Sequence, residues 1–234
     1  MCPIDTPSES GLALTINVDL RTTPKRRVEM DGGLDASRVA DIVLASALLA
    51  FIFPLWLAVA LLIKLQDDGP VIFAHRRLGR GGRTFDCLKF RSMVVDADVR
   101  LAQLLQRDPQ ARAEWEADHK LRKDPRVTPL GDFLRRSSID ELPQLLNVLR
   151  GEMSLVGPRP IVGAEVTRYG RWFNAYCAVR PGLSGLWQVS GRNDVSYRRR
   201  VALDRLYASR RSFRLYLYIL LKTVPAVLTR DGSY

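Results

Sequence analysis

Three cysteines and two histidines are all that the 234 residues offer of those two types. Cys2, Cys87 and Cys177 are scattered, odd in number and without CxxC spacing. They exclude a disulfide framework and a cysteine zinc site, and fit a reducing compartment. His75 and His119 are too few for a histidine metal cluster or a Ser-His-Asp triad, so any nucleophile, acid or base falls to a carboxylate. Acidic residues are also in deficit, 25 against 36 Lys and Arg, leaving a formal charge of +11. That excess says nothing about fold but calls for anionic partners: nucleic acid, a lipid surface or phosphorylated substrates. Walker and Rossmann spacings are absent, since the glycine-rich stretch at 79–84 matches neither and reads as a turn. No recognised nucleic-acid module appears, so nucleic acid is not expected as a partner.

What the chain does have is length for one ordinary domain plus a tail or membrane element, and 47% apolar residues to fill a core. Residues 1–35 are rich in Ser, Thr, Pro and charge and read as a mobile tail. No signal peptide is expected, because the only long apolar run starts late and lacks a cleavage site. That run, Ile42 to Ile63, holds no charge and would reach about 33 Å as a helix, enough to span a hydrocarbon core. Pro54 near its centre invites a break, and Lys or Arg flank both ends, which places both on one side of a membrane. Residues 36–66 are therefore expected to form a helix-break-helix re-entrant hairpin, with a buried core helix as the plain alternative. The strongly basic remainder, 67–234, reads as a single α/β domain, helix-rich with little regular sheet.

Within that domain, Pro70 to Phe73 and Thr84 to Phe90 read as paired strands across the turn at Gly79 to Gly82. Helices broken near Pro109 are expected over 97–122, another over 142–149, and a last helical pattern from Val201 until Pro225. Pro181 to Gln188 reads as a loop with Trp187 as its aromatic anchor.

The segment richest in chemistry is LRRSSIDELPQLLNVLRGEMSLVGPRP, 134–160. Asp140 and Glu141 stand side by side at an expected helix start, which Pro143 fits. Read plainly, Asp140 is an N-cap and Glu141 a first-turn acid. Read functionally, the same place holds phosphate oxygens on free amides, keeps a carboxylate ionised for attack on phosphorus, and offers its neighbour to Mg²⁺. Arg135, Arg136 and Arg159 could clamp charged oxygens. Lys89 and Arg91, two apart on an expected strand, would share a face and form a two-cation phosphate clamp. Each of these cations could equally be a solvated surface charge.

Taken in order, four segments behind the apolar run resemble the bacterial sugar transferase family, the monotopic phosphoglycosyl transferases. They are DGPVIF (68–73), RRLGRGGRTFDCLKFRSM (76–93), DPRVTPLGDFLRRSSIDELPQLLNVLRGEMSLVGPRP (124–160) and RPGLSGLWQVSGRNDVSY (180–197). The resemblance covers about 37–234. It implies a monotopic membrane protein held by one N-terminal re-entrant hairpin, with its catalytic domain on the cytoplasmic face of the bacterial inner membrane.

The resemblance further implies a catalytic dyad, Asp140 and Glu141. The Asp attacks the β-phosphate of a UDP-sugar and releases UMP; undecaprenyl phosphate then takes the phosphosugar. It implies Mg²⁺, with Glu141 as the nearer metal partner and Asp140 beside it, and phosphate or substrate contacts from Lys89, Arg91, Arg136, Arg159, Arg180 and Arg192. Its partners would be the UDP-sugar, undecaprenyl phosphate and the anionic inner membrane, with room for a homo-oligomer. Within the family, GRNDVSY (191–197), the terminal GSY (232–234) and the short single-hairpin layout lean toward the galactose-1-phosphate transferases of rhizobial succinoglycan-type exopolysaccharide. UDP-glucose and UDP-N-acetylhexosamines are the alternative donors, and a non-catalytic basic adaptor for membrane or nucleic acid is the competing class. The sequence departs from the family pattern at Phe53 before the membrane proline, at Arg210-Arg211-Ser212 and at Tyr216.

Overall fold

The computed structural model describes residues 35–118, 121–191 and 195–228. The expected tail up to residue 34, His119, Arg192 and the terminal GSY lie outside the described residues.

The apolar run forms one helix, α1 (Ala36–Gln66), started by Asp35, whose Oδ1 accepts from the Ser37 amide at 3.2 Å. It continues through Pro54, so the break expected there is not seen. A proline inside a helix costs about 3 kcal/mol through its lost donor and its clash. Pro54 faces outward, while Ile52 and Val59 on either side of it are buried. Packing on both sides of the proline thus holds the two halves in line.

The buried positions Asp41, Ala45, Ile52, Val59 and Ile63 follow steps of four and seven, one narrow stripe along the whole helix. Ala45 and Ile52 join Leu145, Val148, Tyr216 and Ile219; Val59 and Ile63 join Phe90 and Leu134. Only 11% of the most apolar 18-residue window is buried, which rules out the core-helix alternative. The helix is long and apolar enough to cross a membrane, and its other faces present apolar side chains outward, with Phe51 84% exposed.

The expected strand pair is present as an antiparallel hairpin, β1 (Ile72–Leu78) and β2 (Thr84–Phe90). Its first strand starts and ends later than the apolar pattern suggests. Register explains this: Leu78 pairs Thr84, so the charged Arg76 and Arg77 are drawn into the ladder. Two exposed helices follow, α2 (Ala97–Arg107) and α3 (Pro109–Asp118). Between them Asp108 accepts from the Gln110 amide at 2.8 Å and Pro109 opens α3, as the break near Pro109 required.

Next come α4 (Pro129–Arg136) and α5 (Gln144–Arg150), the latter closed by Gly151 at φ 81, a conformation that favours glycine. A second small sheet pairs β3 (Ser154–Val156) in parallel with β4 (Gly182–Ser184), so part of the expected 181–188 loop is strand. Between these strands lie α6 (Val166–Tyr169) and α7 (Phe173–Cys177).

The last pattern divides into α8 (Tyr197–Arg210) and α9 (Phe213–Leu228). Its break falls at Arg211 and Ser212, where Ser212 Oγ accepts from the Leu215 amide at 3.2 Å, and not at Pro225, which α9 contains. The whole is helix-rich with little sheet.

One buried carboxylate fixes α1 against the domain. Asp41 Oδ1 accepts from the Leu155 amide at 2.9 Å, from Ser154 Oγ at 3.0 Å and from Tyr216 Oη at 2.9 Å, joining α1, β3 and α9. Tyr216, a departure from the family pattern, thus has a structural use.

Candidate active site

Two short elements bring the reactive side chains together. Thr128 Oγ1 accepts from the Gly131 amide at 2.9 Å and Pro129 stands in the first turn, so α4 starts sharply. Gly131 lies against the Ser92 backbone so closely that an added Cβ would sit 1.9 Å from Ser92 O. That approach draws α4 onto the end of β2. The chain then passes through Ser138, held at φ 58 in the left-handed region, into a 3-10 turn, Ile139–Glu141. A non-glycine residue there costs about 1–2 kcal/mol. The expected helix start at Asp140 is therefore a separate turn, and α5 begins only after Pro143.

Lys89, near the end of β2, reaches both carboxylates of this turn. Its Nζ donates to Glu141 Oε1 at 2.7 Å and to Asp140 Oδ2 at 3.3 Å. Asn147 of α5 sets the height of the strand: it is fully buried, its Oδ1 accepts from the Leu88 amide at 3.0 Å, and its Nδ2 donates to Asp86 O at 2.8 Å and Glu152 Oε2 at 2.6 Å. A one-residue slip of β2 would turn Lys89 to the other face.

The two acids are perturbed in opposite senses. Burial pushes the Asp140 carboxyl above its ordinary value, with Lys89 opposing and Glu141 adding to the rise. Burial also resists ionisation of Glu141, but Lys89, Arg159 and Arg77 outweigh it and hold that carboxyl below its ordinary value. The Asp140 side chain is 8% exposed and that of Glu141 31%, but burial acts on both, and it is the cations about Glu141 that reverse the sense there. A more basic carboxylate is a better nucleophile when ionised, and an ionised neighbour can hold a cation.

The remaining expected residues are dispersed. Arg91 does not share a clamp with Lys89. β2 ends at Phe90, and the buried Arg91 guanidinium pairs with Asp67 after α1. Arg136 binds Asp132 on the exposed side of α4, its Nη2 2.9 Å from Oδ2; it is Arg135 that acts on Asp140. Arg180 Nε donates to Gly151 O at 3.0 Å, beside Arg38, which donates to Val148 O and Leu149 O; both satisfy the end of α5. Arg159 does belong near the dyad, through its influence on Glu141. Its loop is fixed by Gly157 N donating to Ser184 O and Gly182 N donating to Pro158 O, each at 2.8 Å. Arg192 lies outside the described residues.

Arg77 and His75 were not singled out in the sequence, yet they share a hairpin face with Lys89, since Phe73 pairs Lys89 and Arg77 pairs Phe85. The signal was the ladder register about the Gly79–Arg83 turn. Burial, with Arg77 and Lys89 adding, pushes His75 toward the neutral form, and its Nδ1 lies 3.1 Å from Arg77 Nη2. Cys87, on the same face, is pushed up to about 11 by burial, which leaves the thiol inert near neutrality.

Among the described residues no three His, Cys, Asp or Glu side chains gather as a metal cluster. Mg²⁺ does not require one, being held commonly by one or two carboxylates with water and substrate phosphates. Glu141, ionised, partly exposed and met by Lys89 at Oε1, fits that mode with Asp140 beside it.

The profile described as bacterial sugar transferase matches residues 34–230. The exopolysaccharide production protein ExoY of Rhizobium meliloti is 49% identical over 203 residues, 87% of this chain and 89% of that protein. A UDP-galactose-lipid carrier transferase of Erwinia amylovora is 50% identical over 197 residues, 84% of this chain, but this chain spans only 41% of its length. A UDP-glucose:undecaprenyl-phosphate glucose-1-phosphate transferase of Caulobacter vibrioides is 43% identical over 205 residues, 84% of this chain and 71% of that protein.

Proposed function

The chain belongs to the bacterial sugar transferase family, and from that premise we propose that it moves a hexose 1-phosphate from a UDP-sugar to undecaprenyl phosphate. The observation that carries the proposal is the convergence of Lys89 on Asp140 and Glu141. Asp140, ionised and more basic than an ordinary carboxylate, attacks the β-phosphorus through Oδ. An Asp140 O–P bond forms, the bond from the β-phosphorus to the bridging oxygen breaks, and the electron pair leaves on that oxygen with UMP. A phosphate oxygen of the lipid then attacks the same phosphorus and the Asp140 O–P bond breaks, restoring the carboxylate. The covalent intermediate lets a soluble donor and a membrane-bound acceptor use one nucleophile in turn.

Lys89 favours the ionised form of Asp140 and faces the phosphoryl oxygens in the reaction, while Arg159 and Arg77 supply further positive potential. Glu141, with Asp140, would hold Mg²⁺, which when bound neutralises diphosphate charge. The Erwinia relative, a UDP-galactose-lipid carrier transferase, favours galactose and the Caulobacter relative, a glucose-1-phosphate transferase, glucose; the lean of the sequence motifs favours galactose.

We further propose that α1 stays on one side of the membrane, the bacterial inner membrane, with the catalytic domain on the cytoplasmic face where UDP-sugars are. Both ends of α1 pack on the same domain: Arg38 binds the end of α5, and Ile63 meets Phe90 and Leu134. A continuous helix of 31 residues is about 46 Å long, so with both ends packed on one domain it lies along that domain's surface and does not carry one end across the bilayer. The apolar outer faces of α1 and α9, with Leu221 72% exposed, would lie in the lipid.

The test is the intact mass of purified protein incubated with Mg²⁺ and UDP-galactose without lipid acceptor. A phosphohexose adduct that vanishes in Asp140→Asn is expected. An adduct from UDP-glucose alone would transfer the reading to glucose, and UMP release undiminished in Asp140→Asn would remove the nucleophile.

A further inference from the structure

The hairpin face that carries Lys89 has uncharged members as well. Phe73 stands directly opposite Lys89 in the ladder and His75 opposite Cys87, so Phe73, His75 and Arg77 line one face with Lys89. Directly paired side chains start about 5 Å apart at Cβ, and diagonal ones about 7–8 Å. Lys89 Nζ itself touches Asp140 and Glu141. Register therefore sets Phe73 and His75 beside the ammonium that meets the reacting phosphate. The opposite face turns elsewhere: Ile72 and Phe90 pack with Val59 and Ile63 of α1, so Phe73 points away from the helix assigned to the lipid.

Phe73 is 52% exposed, and its ring lies 6.0 Å from the His75 ring, tilted by 51°. The His75 tautomer is fixed by its neighbour. A guanidinium can only donate, so Arg77 Nη2, 3.1 Å away, donates to Nδ1 and the imidazole proton sits on Nε2. Among the described residues that Nε2 has no hydrogen-bond partner. Arg77 is tied at its other end, Nη1 donating to Pro160 O at 3.3 Å, next to Arg159. Along the strand the face thus runs from an exposed ring, past one neutral N–H donor, to two cations.

Two groups hang on the phosphorus that Asp140 attacks, each through one oxygen: the α-phosphate, which is anionic, and the hexose, which is neutral. The first calls for guanidinium groups. The second presents a face of C–H groups that lies on an aromatic ring, and hydroxyls that accept from a neutral N–H. We infer that Phe73 and His75 form the sugar subsite of the donor: the Phe73 ring takes the C–H face of the hexose, His75 Nε2 donates to one of its hydroxyls, and the α-phosphate lies on the Arg77 and Arg159 side. The inference rests on the transfer reaction proposed above.

The experiment uses the full chain in lipid nanodiscs, with initial rates at varied donor, varied polyprenyl phosphate and added UMP. UMP carries the nucleotide without the sugar, so it separates the two ends of the donor. Phe73→Ala should raise the donor KM by about tenfold and leave inhibition by UMP unchanged. Phe73→Trp, which keeps a ring, should recover most of the loss. For His75 the probe is a set of monodeoxy analogues of the accepted UDP-hexose. One of them should lose about fivefold in kcat/KM with the unaltered protein, a cost that disappears in His75→Phe. A cost unchanged at every hydroxyl would remove His75 from the subsite. Weakened UMP inhibition in Phe73→Ala would overturn the assignment and give the ring to the nucleotide. A rise confined to the KM for polyprenyl phosphate would give it to the lipid, and no change in any constant would leave it no role. Should the unaltered protein release UMP from no UDP-sugar, the reaction itself fails. The subsite is then judged by calorimetric titration: UDP-hexose bound more tightly than UDP, by a margin lost in Phe73→Ala, keeps it, and equal binding of the two removes it.

Discussion

Asp140 and Glu141 are consecutive and share the ammonium of Lys89, yet the first is held above its ordinary carboxylate value and the second below it. Neighbouring carboxylates pushed apart in this way can divide their labour, one as nucleophile and one as a permanent anion.

Lys89→Met should separate these roles. Lys89 lowers both acids, so its loss raises Asp140 further and lets Glu141 rise with it. The rate of adduct formation should fall by about a hundredfold or more. The acid limb of its pH profile should move to higher pH, because the attacking carboxylate is then protonated over a wider range. Single-turnover rates across pH 5–9 check this; an unmoved limb would detach Lys89 from the nucleophile.

Asn147→Ala removes three bonds, two that hold β2 at its height and one to Glu152. Each buried bond broken this way costs about 1–3 kcal/mol, since its partner is left unsatisfied. A fall in Tm should accompany lost activity, and Asn147→Asp should not restore it, because two of the three bonds need the amide as donor. Thermal unfolding with parallel rates is the measurement.

Asp204 supplies a pH signature of the fold itself. It is buried in α8, accepts from Tyr169 Oη at 2.6 Å, and burial raises it from 3.8 to about 6. A raised carboxyl contributes stability that is present below the unfolded value near 4 and is lost as pH rises through about 6. The loss should be roughly 3 kcal/mol, from a shift of about two units. Asp204→Asn keeps an acceptor for Tyr169 and should flatten the pH dependence of unfolding between pH 4 and 7. A slope unchanged in that variant would place the titration elsewhere.

Ser138 tests the strained entry to the dyad. Ser138→Gly relieves the left-handed backbone but frees the unfolded chain, so stability should stay within about 1 kcal/mol of the original. Ser138→Val, β-branched at φ 58, should lower it by about 2 kcal/mol or more. Denaturant midpoints distinguish them; equal values would mean that the turn relaxes.

By itself the sequence determined the apolar helix, the β1–β2 hairpin, the breaks beside Pro109 and the identity of the paired acids. These are local matters: an uncharged run, alternation about a glycine turn, a proline that cannot continue a helix, adjacent carboxylates in a recognisable motif. Only the tertiary structure decided that Pro54 lies within a continuous helix, because the residues against which the α1 stripe packs come from α4, α5, α9 and β2. It also decided which cations face the dyad. Arg91, two residues from Lys89, turns to Asp67; Arg136 turns to Asp132; Arg77, twelve residues from Lys89, joins it through ladder register. Charge is legible residue by residue, but the partner that neutralises it is chosen by packing, and in this chain that choice separates the arginines of the site from those that hold the fold.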